Sequence, residues 1–241
     1  MKRLLLFSYI LIVFPFLVSC ESELVAPAGA TNSQTKESYG ACSTYQYISK
    51  AGDVTSYGTA YNQIVLVGFR EGVSLKEKQQ IVRTSSVYKD IVGEVALDSG
   101  PITLVQLKPR STCADVELLR TQLERYPEVL FANPAFATQD PEISWIGLPN
   151  EFLVSIEPGT QPQLEVLVAS TQTSIVFSLS EELHLLSADK NSNGDALAMS
   201  NLFNQQAFVV SAEPNFIFQA KTSGLDGAAS QTILKEMKQI K

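Results

Sequence analysis

One succession of strand and helix patterns occurs twice in this chain, and it restricts the fold more than any other feature of the sequence. The first copy opens with residues 64–69, an apolar run rich in β-branched side chains and of strand length. Ser74 and Glu77 follow with the spacing of a capping box, in which each side chain bonds a backbone N–H group at the start of a helix. We therefore predict a strand and then a helix that ends near Ser85.

Two further strands, a helix and a last strand complete this copy. Residues 91–97 and 102–107 have strand composition and are joined by the turn sequence Asp-Ser-Gly-Pro. Residues 114–126 carry regularly spaced apolar side chains and precede Pro127, which predicts a helix, and 129–137 predicts the last strand. The order β-α-β-β-α-β is that of the ferredoxin-like fold, in which both helices cover one face of a four-stranded sheet.

The second copy lies between residues 150 and 220. Its predicted elements are strands at 152–156, 174–180, 184–188 and 208–218, and helices at 164–169 and from an Asp195 N-cap to Gln205. Seven residues between Asp115 and Phe136 recur as the same or similar types 80 positions later. We interpret this as an internal duplication, with chance similarity as the alternative. The predicted fold class is α+β, with two tandem ferredoxin-like modules.

The beginning of the chain predicts export and lipid attachment. Lys2 and Arg3 precede an apolar run that ends at Ser19 and Cys20, a pattern that resembles the lipobox of bacterial lipoproteins. The resemblance implies that residues 1–19 are a signal peptide and that Cys20 carries acyl chains such as palmitate. Because each buried methylene contributes about 0.8 kcal/mol, two or more chains hold a protein firmly on a membrane. We expect a lipid-anchored protein of the cell envelope, with Glu21 favouring the outer membrane where there are two.

Five segments follow from these patterns: a signal peptide (1–19), a linker that could form a short hairpin (20–61), a first module (62–140), a second module (150–220) and a C-terminal tail (221–241). Without the signal peptide, 16 Lys and Arg residues stand against 25 Asp and Glu residues. An acidic chain lacks the basic surface that binds phosphate backbones. We therefore expect no nucleic-acid partner.

Cys42 and Cys113 remain once Cys20 is assigned to lipid. An exported compartment permits a disulfide between them. Two unpaired, partly buried thiols are the alternative, and the sequence leaves both open because pairing depends on geometry.

Each module closes with a similar stretch: residues 129–136 are VLFANPAF and residues 209–216 are VVSAEPNF. The second stretch resembles the end of the last strand in propeptides of subtilisin-like serine proteases and in related standalone inhibitors, and the first is a looser copy. Residues 65–72, VLVGFREG, are similar to the opening strand of such propeptides, and residues 195–203, DALAMSNLF, to their second helix. The resemblance covers about residues 62–220.

The resemblance implies binding to an exported subtilisin-like serine protease. In that family the propeptide helps its protease to fold and then occupies the active site. Its sheet packs on two enzyme helices, and the segment after the last strand lies in the substrate cleft as an added strand. Carried over to this chain, residues 135–139 are one such tail, and the main protease-binding tail is Phe216, Ile217, Phe218, Gln219, Ala220 and Lys221.

Catalysis by this chain is not expected. A subtilase needs a Ser nucleophile, a His base and an orienting Asp on a separate large domain. The one histidine, His184, lies among leucines in a predicted strand, which favours a structural role. Phosphate-loop, G-x-S-x-G and H-E-x-x-H motifs are missing, and the cysteines and the histidine lack zinc-site spacing. We expect neither a cofactor nor a metal.

Three functions remain open at this point. The first is a lipid-anchored inhibitor or folding helper of an exported subtilisin-like protease. The second is a non-inhibitory interaction or scaffold lipoprotein that keeps the propeptide-like fold. The third is the orphaned N-terminal region of a subtilase that has lost its catalytic domain.

Overall fold

Strands make up most of the regular structure in residues 42–221, the part of the chain that the computed structural model describes. Four helices accompany them, so the predicted mixture of α and β structure is confirmed, with curled sheets. The predicted signal peptide, the lipidation site Cys20, the linker up to residue 41 and the tail after Lys221 lie outside the described residues.

The elements follow the chain in this order. The strands are β1 (Thr44–Ile48), β2 (Val54–Phe69), β3 (Tyr88–Leu97), β4 (Gly100–Leu107), β5 (Val129–Ala137), β6 (Ile143–Gly147), β7 (Glu151–Ile156), β8 (Ser174–Ser178), β9 (Leu183–Ser187), β10 (Val209–Pro214) and β11 (Ile217–Ala220). The helices are α1 (Leu75–Val82), α2 (Cys113–Leu123), α3 (Gln161–Thr171) and α4 (Ala196–Asn204).

Side-chain caps explain where three of these helices begin. Ser74 and Glu77 form the predicted capping box of α1, with the Ser74 N–H donating to the Glu77 carboxylate over 2.8 Å. These hydrogen bonds hold the pKa of the Glu77 carboxyl below its ordinary value. Thr112 and Asp115 form a second capping box on α2, and Asp195 caps α4 as predicted.

The first sheet contains the four predicted strands of the first module in the order β5-β2-β4-β3, antiparallel throughout. If these four strands are ranked by their position along the chain, their order across the sheet is last, first, third, second. The sheet then extends past β5, because β6 pairs with β5 and β11 pairs with β6. β1 pairs with the first half of β2 as a hairpin.

The second sheet contains β10, β7, β9 and β8 in that order, again antiparallel. This is also the order last, first, third, second along the chain. The same topology therefore occurs twice, and each sheet has two helices between its strands.

Both sheets and all four helices contribute to one apolar core. Val65 and Val67 of β2 lie in this core with α1 and α2, while the alternate residues Ile64 and Leu66 lie in a second cluster on the other face of the sheet. Gly68 marks a close approach, because a Cβ atom there would lie 2.1 Å from the Phe131 ring. The glycine is therefore required by packing.

The predicted final strand at 208–218 is wrong as a single element. The structure has two strands there, β10 and β11, which belong to different sheets. The chain leaves the second sheet after Pro214, which lacks the N–H group needed to continue a ladder. Residues 217–220 then pair with β6 of the first sheet.

Cys42 and Cys113 form a disulfide, with their Cα atoms 5.5 Å apart. This distance lies within the range that disulfides require. The bridge ties the residues before β1 to the first residue of α2. The question that the sequence left open is therefore decided in favour of the bridge.

Candidate functional site

The predicted protease-binding tail forms an edge strand of the first sheet. Residues 217–220 are β11, which runs antiparallel to β6 with Phe218 opposite Ile146. Immediately after β11, the Lys221 N–H donates to the Glu142 carbonyl oxygen over 2.7 Å. The backbone on one side of the tail is therefore already hydrogen-bonded within the chain.

Phe216 anchors the start of this tail. Its ring centroid lies 4.8 Å from that of Tyr57 and 6.4 Å from that of Phe136. These rings join the end of the second module to the core of the first. Phe218, in contrast, is 48% exposed and remains available for contacts.

The corresponding tail of the first module is also paired. Residues 135–137 are the end of β5 and lie opposite residues 145–147 of β6. Since β11 covers the other side of β6, both predicted tails belong to one continuous sheet. Neither is an isolated extended segment.

A buried carboxylate holds the connection between β10 and β11. Glu151 is 1% exposed and accepts hydrogen bonds from the Ser99 N–H over 2.6 Å and from the Asn215 side-chain amide over 2.8 Å. The Asn215 N–H also donates to the Glu151 carbonyl oxygen. Asn215 is thus the residue of the AEPN stretch that directs the chain from the second sheet to the first.

The face of the second sheet opposite its helices carries an apolar row. Register pairing places Leu153, Leu185 and Phe177 side by side on β7, β9 and β8. They alternate with Phe152 and Val154, which lie in the core beneath the helices. Phe177 is 40% exposed. Leu185 is 3% exposed and Leu153 is half-buried, so Phe177 is the exposed end of this row. We call Leu153, Leu185 and Phe177 the open-face row.

The corresponding face of the first sheet is closed. Its apolar residues pack together into the second cluster, whose buried members are Ile64, Leu66, Ile102, Leu104, Phe131, Ala135 and Trp145. Phe131 is 4% and Trp145 7% exposed. These residues of the first sheet are therefore buried, whereas Phe177 at the end of the open-face row is 40% exposed.

β1 of the first sheet is bound by side chains of helix α4, and we refer to β1 with its α4 contacts as the β1 clamp. The Asn201 side chain of α4 accepts from the Ile48 N–H over 2.7 Å and donates to the Gln46 carbonyl oxygen over 2.9 Å. The Asn204 side chain bonds the Ile48 carbonyl oxygen and both backbone groups of Ala212. An edge strand of the first sheet is thus bound by a helix of the second module.

A charged network lies beside this clamp. The Arg120 guanidinium donates to the Tyr45 hydroxyl, to the Glu117 carboxylate over 2.8 Å and to the Ala132 carbonyl oxygen over 2.7 Å. Asp195 lies 3.8 Å away. Burial alone lowers the pKa of Arg120, but these anionic and phenolic neighbours hold it above its ordinary value. Burial raises the pKa of the Tyr45 phenol.

His184 is 1% exposed and lies within the β8–β9 hairpin. Its Nδ1 atom lies 2.8 Å from the Ser178 Oγ atom, and its Nε2 atom lies 3.2 Å from the Glu181 carbonyl oxygen. Both ring nitrogens are therefore used in holding the hairpin together. This geometry is compatible with the structural role that the sequence predicts.

The described residues include no group of three or more His, Cys, Asp and Glu side chains that could hold a metal ion. Within the same part of the chain, no helix is both long and apolar enough to cross a membrane. Comparison with known proteins identifies no matching family model and no matching curated protein.

The residues that connect the two sheets are not evident from the sequence. Asn201, Asn204 and Glu151 form no recognisable motif, because their partners lie more than 50 positions away or are backbone atoms. Glu151 comes directly before the predicted apolar strand at 152–156. A charged residue in that position was the one available signal of a buried, hydrogen-bonded carboxylate.

Proposed function

We propose that this chain is a non-catalytic binding protein of the cell envelope, anchored by lipid on Cys20 and built from two tandem ferredoxin-like modules similar to subtilase propeptides. The order last, first, third, second in both sheets supports this reading, since it is the strand order of the ferredoxin-like fold. All four helices contribute buried residues to a single apolar core with the sheets. The proposed partner is an exported subtilisin-like serine protease.

The open-face row is the proposed contact surface. Propeptides of the similar family pack a sheet face on two enzyme helices, and such packing needs exposed apolar side chains. Phe177 meets this need at 40% exposure, and Leu179, at 56%, follows it on the same hairpin. The first sheet buries its equivalent face, so the second module carries the binding role in this proposal.

A second function, a non-inhibitory interaction lipoprotein, is favoured by one observation. An inhibitory tail must reach the substrate cleft as an added strand, which requires free backbone N–H and C=O groups. Residues 217–220 already use one side of their backbone for β6. Binding without inhibition is therefore expected if β11 stays in place when the partner binds.

The test compares two exposed phenylalanines. Purified chain is titrated into several subtilisin-like proteases while binding and hydrolysis of a chromogenic peptide are both measured. Phe177→Glu should weaken binding at least tenfold, whereas Phe218→Glu on β11, with similar exposure, should leave it unchanged. The matched pair thus separates the open-face row from the tail.

The outcomes of this experiment distinguish the proposed functions and the proposed contact surface. Binding with slowed hydrolysis supports an inhibitor, and binding without slowing supports the interaction lipoprotein. Loss of binding in Phe218→Glu alone would assign the contact to β11 and reject the open-face row. Failure to bind any of the proteases would overturn the proposed partner.

A further inference from the structure

The part of the chain that contains the second sheet is strongly acidic. Residues 150–220 contain eight Asp and Glu residues but a single Lys or Arg residue, Lys190. The Lys190 ammonium group donates to the Tyr126 carbonyl oxygen over 2.6 Å, at the end of the segment that follows α2. Residues 62–140, in contrast, contain ten acidic and nine basic residues. Most of the excess negative charge between residues 62 and 220 therefore lies in residues 150–220.

One carboxylate extends the open-face row. Leu153 of β7 lies opposite Leu185 of β9 and opposite Glu213 of β10. Residues opposite each other in an antiparallel ladder share one face of the sheet, so Glu213 continues the row by one position. Glu213 is exposed, and Phe177 stands at the other end of the same row. The row therefore runs from a carboxylate on β10 to an aromatic ring on β8.

Two more carboxylates border one end of this face. The β7–β9 register, continued by two residues past its last pair, places Glu157 opposite Glu181. The Ile156 N–H donates to the Glu182 carbonyl oxygen over 2.8 Å, so the two chains remain side by side there. Glu157 and Glu181 are both exposed, and the two-residue alternation of a strand assigns them to the face of the open-face row.

These three carboxylates lack a cation of their own within the described structure. None of the three ion pairs in residues 42–221 includes Glu157, Glu181 or Glu213. Glu157 and Glu181 moreover stand opposite each other, and like charges in that position destabilise a sheet. A cation supplied by a partner relieves this repulsion. The charge of the face thus indicates the sign of what it binds.

We propose that this face binds a cationic protein surface, one that presents Lys or Arg side chains around apolar ones. Phe177 and Leu179, 40% and 56% exposed, supply the apolar contact, and Glu157, Glu181 and Glu213 receive the cations. Complementary charge steers such a partner to the face and fixes its orientation. The inference rests on the contact surface of the proposed function, but it does not require that the partner be a protease.

Other classes of ligand do not match this face. Carboxylates repel phosphate backbones and anionic lipid headgroups. The described residues include no group of three or more side chains that could hold a metal ion. A small organic cation would leave Phe177 and Leu179 in water, because it has too little apolar surface to cover them. A protein surface meets both requirements.

A designed peptide tests the face without a natural partner. The probe is a fluorescent amphipathic helix with a Leu stripe flanked by Lys, and its twin has Glu in place of every Lys. Anisotropy titrations with the detergent-solubilised full chain should show the Lys peptide binding at least tenfold more tightly than its twin. Raising the salt concentration from about 50 mM to about 500 mM should weaken this binding several-fold, because salt screens exposed charges.

Uncharged variants then locate the binding face. Glu157→Gln, Glu181→Gln and Glu213→Gln, made together, should weaken binding of the Lys peptide at least tenfold. The matched control changes the net charge equally, at three exposed glutamates elsewhere on the chain, Glu71, Glu142 and Glu165. It should change the affinity less than twofold. Circular dichroism should show the same fold in both triple variants, since all six side chains are exposed.

The possible results separate this inference from the proposed function. Equal weakening in both triple variants would show attraction by net charge alone and overturn the inference, as would equal binding of the two peptides. Binding seen only after removal of residues 222–241, which contain three lysines and two acidic residues, would assign the face to that tail instead. If the Lys peptide binds as described and no protease does, the proposed protease partner is rejected and this inference stands.

Discussion

Replacing Cys42 and Cys113 together by serine should lower the free energy of unfolding by about 4 kcal/mol. The disulfide closes a loop with a sequence separation of 71, and the loss of chain entropy in the unfolded state gives about 4.4 kcal/mol for such a loop at 25 °C. Residual structure in the unfolded chain reduces this value, so 4 kcal/mol is an upper expectation. For a domain of this size it corresponds to a fall in melting temperature of about 12 °C.

Trp145 provides the assay. It is the single tryptophan of the chain and is 7% exposed in the second cluster, so its fluorescence reports on unfolding of the first sheet. Urea titrations of the oxidised chain, the reduced chain and the double-serine variant give the three free energies of unfolding. Reductant should leave the double-serine variant unaffected, which makes it the matched control.

A small effect of reduction on stability would contradict this role of the disulfide. If reduction changes the free energy of unfolding by less than about 1 kcal/mol, the bridge does not constrain the unfolded chain as its long loop requires. The β1 clamp should meanwhile keep unfolding a single transition in the double-serine variant, because Asn201 and Asn204 still bind β1 to α4. A separate early transition would show that the bridge, and not the clamp, joins the modules.

Three other substitutions have defined outcomes. Gly68→Ala should destabilise by about 3 kcal/mol in urea titrations, because its Cβ atom would overlap the Phe131 ring, while Gly93→Ala, with open space around it, should cost little. Asn204→Ala should cost about 3 kcal/mol by the same measure, since it leaves the buried Ala212 N–H without its partner, and a cost below 1 kcal/mol would contradict this role. Burial raises the pKa of the Glu124 carboxyl above its ordinary value, so the folded state binds its proton more tightly and stability falls as pH rises through that raised pKa. Glu124→Gln should therefore flatten this fall, and an unchanged pH profile would refute the assignment.

Local patterns in the sequence predicted the individual elements well. The spacing of Ser74 and Glu77 and the position of Asp195 placed two helix starts, because capping bonds form between neighbouring residues. The strand predicted at 129–137 coincides with β5. The apolar run at residues 64–69 also lies in a strand, β2. Its side chains are buried on both faces of the sheet, which is typical of an apolar run without alternating polar residues.

Connections between distant residues depended on the tertiary structure alone. The pairing of β11 with β6, the burial of Glu151 and the β1 clamp join positions separated by about 50 to 160 residues. The spacing of apolar residues along the chain does not encode such contacts. The composition of a segment indicates that it will form a strand, but it does not indicate which other strand will pair with it. The sequence by itself therefore determined most of the elements and their repeated order, but not β6 or the break between β10 and β11. Only packing decided that the apolar cluster on one face of the first sheet is buried, that Phe177 of the second sheet stays exposed, and that the predicted tail becomes part of a sheet. These outcomes depend on which distant groups come into contact and satisfy one another's hydrogen bonds.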